Sequence, residues 1–197
     1  MTLRKIFAAA ALMAGATAAQ AAPVFSDNFD ADTTGLNTTV FLGGWTVSNG
    51  TVDTIGVGTS WDLIPGNGHY IDLDGSSGQA GTFSNSVNLA ANTTYVMTFS
   101  LAGNHRGYDA DTVDVTFGTS GNTYVLASPD PLTQYSLTFT TSAGGATGFS
   151  FHNHGGDNVG ALLDNVSIAA VPEPETYAML LAGLGALGIA ARRRRNG

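Results

Sequence analysis

Cysteine is absent from the 197-residue chain, so no disulfide framework holds the fold, and any stapling must come from packing or from metal. Basic residues are almost missing from the middle. Between residues 22 and 170 there is no lysine, no glutamate and a single arginine, Arg106, against thirteen aspartates. This stretch is far more acidic than the formal net charge of −8 suggests, because the other six basic residues sit at the two ends. Nucleic acid is excluded as a partner, since backbone binding needs Lys and Arg to displace condensed counterions. A cation suits such a surface better. GxSxG, HExxH and CxxC motifs are also missing. With no glutamate either, the usual acid, base and nucleophile arrangements have no local sequence carrier. Helix-period stretches do not occur between Val24 and Ile168.

The two ends differ from the body. Arg4 and Lys5 precede an apolar stretch, Ile6 to Ala19, which runs into the small-x-small pattern Ala19-Gln20-Ala21. This predicts a secretory signal helix over residues 1–21, removed by signal peptidase before Ala22. The stretch is apolar on all faces and lacks the polar stripe of a cytosolic amphipathic helix. At the other end, Tyr177 to Ala191 is an apolar run of fifteen residues. As a helix it spans about 22 Å against about 30 Å of bilayer hydrocarbon, a short transmembrane helix that is marginal as a lasting anchor. Arg192, Arg193, Arg194 and Arg195 would snorkel to the inner headgroups and hold the C-terminus in the cytoplasm. Gly183, Gly185 and Gly188 match GxGxxG only formally, because no strand feeds the motif. Small residues in such a helix serve close packing.

Between these ends the pattern has period two. In "TTYVMTFSLAGN", Tyr95, Met97, Phe99 and Leu101 share one face and Thr94, Thr98 and Ser100 the other. "DTVDVTF" and "QYSLTF" repeat the alternation through Val113, Val115, Phe117 and through Tyr135, Leu137, Phe139. Less regular strands are expected at 24–29, 46–57, 69–73, 81–89, 147–152 and 161–168. Nine or ten short strands with turn residues between them predict one all-β domain over residues 22–170, built as a β-sandwich of two packed sheets. A jelly roll is the first expectation and an immunoglobulin-like sandwich the second. No internal repeat suggests a solenoid or propeller.

Val171-Pro172-Glu173-Pro174-Glu175, the short apolar run and the terminal arginines, in that order, resemble the PEP-CTERM sorting signal of exopolysaccharide-producing Gram-negative bacteria. That signal is also catalogued as an ice-binding-protein C-terminal region, although the body has no repeated threonine array suited to an ice face. The resemblance covers residues 171–195 and sets off residues 171–197 as a third segment. It implies a membrane exosortase that recognises Pro172, Glu173 and Pro174 and removes the helix, transient passage through the inner membrane, and a mature protein at the cell surface or in the extracellular matrix. The body is similar to galactose-binding-like jelly rolls in "HYIDLDGSSGQAGTFSNSVNLAANTTYVMTFSLAGN" and in the later "GALLDNVSI". That likeness bears on fold more than on function.

Candidate side chains follow from chemistry. Sugar recognition needs an aromatic face and planar polar groups, and "GNHRGYDADT" supplies His105, Arg106 and Tyr108 on one expected loop. The alternative is a surface loop whose Arg106 pairs with an aspartate. Trp61 in "GVGTSWDLIPGNG" is a second stacking platform, whereas Trp45 reads as core. His152 and His154, two apart and with Asp157 nearby, could share zinc or copper. No third ligand is fixed by spacing, and two solvent-facing imidazoles at a strand end are the plainer reading. Asp72 and Asp74 read as an exposed strand end entering an Asp-Gly turn. Parity places Asp164 on the apolar face of Leu162, Val166 and Ile168, and Asp27 on that of Phe25 and Phe29. A carboxylate so placed must be paired or bound to metal. The likeness to jelly rolls implies a structural Ca2+ held through Asp27 or Asp30 and Asp164, and backbone N–H bonds are the alternative.

The expectation is therefore an exported, non-enzymatic sandwich that binds extracellular polysaccharide. A structural matrix or adhesion protein without a small ligand comes second. A secreted hydrolase built on paired aspartates comes third.

Overall fold

The computed structural model describes residues 21–172, together with 182–185, 188 and 192, which are helical. The expected signal helix and most of the apolar C-terminal run lie outside the described residues. Among the described residues no helix is long and apolar enough to cross a membrane.

Among the described residues twelve strands follow one another: β1 (Pro23–Asp27), β2 (Gly35–Thr38), β3 (Thr46–Ser48), β4 (Val52–Gly56), β5 (His69–Asp72), β6 (Thr82–Leu89), β7 (Thr94–Ala102), β8 (Asp111–Phe117), β9 (Ser120–Leu126), β10 (Thr133–Thr140), β11 (Gly145–Asn153) and β12 (Leu162–Ala170). One sheet runs β10-β7-β12-β5-β4-β2, with β1 also on β12, and the other runs β3-β6-β11-β8-β9. β12 lies inside the larger sheet: β7 flanks one side, and β5 and β1 share the other. Every pair of named strands is antiparallel. This is the two-sheet sandwich expected from the alternating pattern.

The alternation explains the core. Met97, Phe99 and Leu101 of β7, Val113, Val115 and Phe117 of β8, and Phe149 and Phe151 of β11 point between the sheets and are buried. Each such side chain contributes about 1.5–3 kcal/mol by leaving water. Trp45 is core as its sequence suggested, stacked on Phe83 at 4.2 Å between ring centroids and met edge-on by Phe25 and Phe149. Every second residue of β10, from Gln134 to Thr140, faces outward and is polar.

Three features depart from the sequence reading. The single strand expected over 46–57 is two, parted by a turn in which Asn49 (φ 58°) and Gly50 (φ 156°) are left-handed, and the halves join different sheets. A Cβ on Gly50 would stand 2.4 Å from the carbonyls of Gln79 and Ala80, so only glycine fits there. β2 and β9 were not foreseen, since "GLNT" and "SGNTYVL" carry little apolar alternation. In β12 the pairing with β7 slips between Asp164 and Ser167, around Asn165 at φ 53°. A bulge reverses parity. Leu162 and Asp164 therefore face the outer side of the larger sheet, while Val166 and Ile168 face the core.

That outer side is partly roofed. The connection from β4 to β5, residues 57–68, folds back so that Leu63 and Ile64 pack on Ile55, Tyr70, Ala102 and Leu162, a second and smaller apolar cluster. As a result β4 is buried on both faces.

Candidate functional site

The roofing segment and the sheet enclose a cleft of about 340 Å3 lined by Leu36, Asp53, Ile55, Trp61, Asp72, Ser76, Arg106, Tyr108, Asn158 and Val159. Its floor comes from β4 and β5, where Asp53 and Asp72 are direct cross-strand partners. Its rim carries two large aromatics, Trp61 at 45 % and Tyr108 at 56 % exposure.

Trp61 is fixed by its backbone. Its N–H donates to Thr59 Oγ1 at 3.0 Å and its carbonyl accepts from the Tyr70 hydroxyl at 3.3 Å. The same buried hydroxyl accepts from Leu63 N–H at 2.5 Å and Ile64 N–H at 3.0 Å, so one side chain of β5 organises the whole segment. Burial pushes the Tyr70 phenol above its ordinary value, against the pull of those two amides.

Arg106 enters from the β7–β8 connection. Asn104, fully buried, shapes it: its Oδ1 accepts from Arg106 N–H at 3.0 Å and Ser128 Oγ at 2.6 Å, and its Nδ2 donates to Asp109 O and Asp111 Oδ2. The guanidinium donates through Nη2 to Asp72 Oδ2 at 2.6 Å. Its Nε is buried without a partner. Asp72 Oδ1 accepts from Asp74 N–H and Gly160 N–H. Burial pushes the Asp72 carboxyl up to about 7, opposed by Arg106 and the Asp74 amide and reinforced by Asp53. Asp72 and Asp74, read from sequence as exposed, are instead buried, because the loop 155–160 closes over them. A Cβ on Gly155 would overlap the Asp74 carboxylate.

Asp53 and Asp72 are the paired carboxylates a hydrolase would need. Both are committed. Asp53 Oδ1 accepts from Asn37 N–H at 2.6 Å and Ser76 N–H at 3.1 Å, and its Oδ2 accepts from Ser76 Oγ at 2.6 Å. With Asp72 held by Arg106 and two amides, each of the four oxygens already serves the fold. The arrangement suits binding better than bond cleavage.

Of the residues proposed from sequence, Trp61, Arg106 and Tyr108 meet at this cleft, whereas His105 does not. His105 is left-handed (φ 52°) and turns its Nε2 to Asp130 O at 3.0 Å. Sequence reasoning missed Asp53, Leu36, Ile55, Asn158 and Val159. None of these stands in a local motif, and only tertiary pairing brings them here.

The residues named for calcium are neighbours beside the first half of β12, where Asp27 pairs with Val166. Asp27 accepts from Phe29 N–H and Trp45 Nε1, Asp30 from His69 N–H and Asn28 Nδ2, and Asp164 from Asn67 Nδ2 and the Asn165 amides. Among the described residues no three acidic or imidazole side chains are arranged to hold a metal ion. His152 and His154 lie with ring centroids 5.6 Å apart, and His154 Nε2 stands 2.6 Å from Asp114 Oδ2 on the exposed face of the smaller sheet.

Comparison with known families bears on both halves of the chain. Residues 25–169 match the family described as Protein of unknown function (DUF642). The chain belongs to the DUF642 family. The family match spans β1 to β12 almost end to end, so the cleft lies wholly within the DUF642 body. Residues 170–195 match the PEP-CTERM protein-sorting motif, a signal for export to the cell surface or extracellular space. Neither match is to a catalytic family, and no curated protein matches the chain. Solved structures similar to it include a module described as "CBM4 structure and function" (13 % identity, 74 % of this chain, 99 % of that chain, TM-score 0.47). A xylan-binding domain from Paenibacillus barcinonensis is another (12 %, 78 % and 97 %, TM-score 0.46). The EclA C-terminal domain, a sugar-binding protein, is a third (16 %, 43 % and 64 %, TM-score 0.38). The chain thus spans slightly under two thirds of the EclA domain.

Proposed function

We propose that the protein is an exported carbohydrate-binding protein without catalytic activity, and that the cleft between Trp61 and Tyr108 takes a neutral polysaccharide outside the cell. The observation that carries this reading is the rim. Two large exposed aromatic side chains, Trp61 and Tyr108, line a formed cleft together with the Asn158 carboxamide and the Arg106–Asp72 pair. Aromatic faces exposed to water favour contact with the C–H faces of a pyranose, and planar polar groups bond its hydroxyls; a few placed polar groups in an otherwise apolar cleft is the usual form of a small-ligand site. A neutral polymer fits because the single arginine of the body is already engaged by Asp72 and the rest of the body is acidic. Exosortase processing at Pro172, Glu173 and Pro174 belongs to the same reading, since the sorting motif begins where the sandwich ends.

Binding to xylan, mannan, galactan and cellulose, measured calorimetrically, tests it. Trp61→Ala should weaken binding at least tenfold, about 1.4 kcal/mol. The thermal midpoint should hardly move, because exposed positions seldom change stability by more than about 0.5 kcal/mol. Binding that survives both Trp61→Ala and Tyr108→Ala places the site elsewhere.

A further inference from the structure

The cleft does not stop at Trp61. A second depression of about 270 Å3, lined on its far side by Gly35, Thr54, Thr59 and Ser60, adjoins the first. Leu36, Ile55 and Trp61 belong to both. Each depression alone is near the lower end of the roughly 300–1,000 Å3 typical of ligand sites, and the two together form one elongated trough.

The two sides differ in chemistry. Towards Tyr108 the wall carries the exposed Asn158 and the Arg106–Asp72 ion pair, with the buried Asp53 beneath, so the polar character of that side is charged. Towards Thr59 the polar groups are hydroxyls alone, and no charged side chain lines that side. The buried Thr54 hydroxyl at its inner wall has no hydrogen-bond partner. Trp61, whose backbone is held by Thr59 and Tyr70, lines both halves.

From this we infer that the site binds an internal stretch of a linear, neutral polysaccharide: one unit lies on Trp61, a specificity-determining neighbour lies beside Arg106 and Tyr108, and a further unit lies in the hydroxyl-lined half. The inference rests on the carbohydrate reading above and adds chain length and asymmetry to it. The charged half selects the sugar. The hydroxyl half selects for length, because a ligand too short to cross Trp61 leaves it empty.

Xylo-, manno-, galacto- and cello-oligosaccharides of one to six units, titrated into the full chain, test the inference. For the series that binds, affinity should rise at least tenfold between two and four units and then level off. Gly35→Phe fills the hydroxyl half. A Cβ at Gly35 meets only Thr38 Oγ1 at 3.6 Å, so the backbone there accepts a side chain. This variant should keep the two-unit affinity and lose the rise, and Ser60→Tyr, on the exposed segment, should do the same if Gly35→Phe unfolds. A rise that persists in both folded variants, or an affinity independent of length in the native chain, overturns the two-sided trough while leaving a glycan site. If no oligosaccharide or parent polysaccharide binds at any length, the carbohydrate reading itself falls, and this inference with it.

Discussion

Asp164 is 1 % exposed in an acidic protein, and the cost of that position can be measured. Burial pushes its carboxyl up to about 6; Asn67 and the Asn165 N–H pull it back, and the nearby carboxylates of Asp30 and Asp27 push it further. The folded value lies above the unfolded one, so over the interval between them the native state holds a proton that the unfolded chain has released. Asp164 therefore weighs least on stability below about pH 4, and its penalty grows as pH rises through about 6. The thermal midpoint should fall between pH 4 and 6.5, and Asp164→Asn should make that fall shallower. An unchanged slope in the variant would mean that Asp164 titrates normally. A calcium ion shared with Asp27 or Asp30 would favour the charged form and erase the slope, so repeating the titration with millimolar calcium separates an ion from the observed N–H partners.

At the scale of elements, the segment between β4 and β5 decides whether there is a site at all. It contains no regular structure, and beyond the packing of Leu63 and Ile64 its middle is held by one hydroxyl. Tyr70→Phe keeps the ring in the small apolar cluster but leaves the Leu63 and Ile64 amides without an acceptor, which should cost about 1–3 kcal/mol. Glycan affinity should fall with it although Tyr70 touches no ligand. Tryptophan fluorescence distinguishes this from general loosening: Trp45 is stacked in the core, so a red shift without loss of the folded far-ultraviolet spectrum reports movement of Trp61. An unshifted spectrum with unchanged affinity would show that the segment holds without the hydroxyl. This dependence was not legible in the sequence. The strongly alternating strands β7, β8 and β10 were, because each reports its own burial. So was the aromatic and cationic character of the loops bearing Trp61, Arg106 and Tyr108. Their convergence was not, because Asp72 and Arg106 lie 34 positions apart and meet only through the order of strands in the sheet. The parity argument for Asp164 failed for a local reason, since a bulge at Asn165 turns one half of β12 over relative to the other. The same failure of periodicity merged β3 with β4, where a left-handed turn sends consecutive strands to opposite sheets.

For the whole molecule, the question is where the folded body ends and the sorting segment begins. β12 is the last strand among the described residues but sits inside the larger sheet, between β7 and the pair β5 and β1. Leu162, Leu163, Val166 and Ile168 are all essentially unexposed. At about 1.5–3 kcal/mol each, they carry stabilisation comparable to the roughly 5–15 kcal/mol that separates a folded domain from its unfolded chain. The body therefore cannot complete its fold without β12, and the sorting motif starts where that strand ends, at residue 170. The Val171 amide, which donates to Thr94 O at 2.8 Å, ties the chain to the sandwich just after β12 ends. Cleavage near Pro174 would thus free an intact sandwich with almost no trailing linker. A chain ending at Pro172 should melt within a degree or two of the full chain, and one ending at Ala161 should not fold. Protein recovered from its native host should have an intact mass that lacks residues 1–21 and everything much beyond 174. A lower midpoint for the chain ending at Pro172 would make the C-terminal segment part of the fold, and a native mass that retains residues 177–197 would make it a lasting anchor.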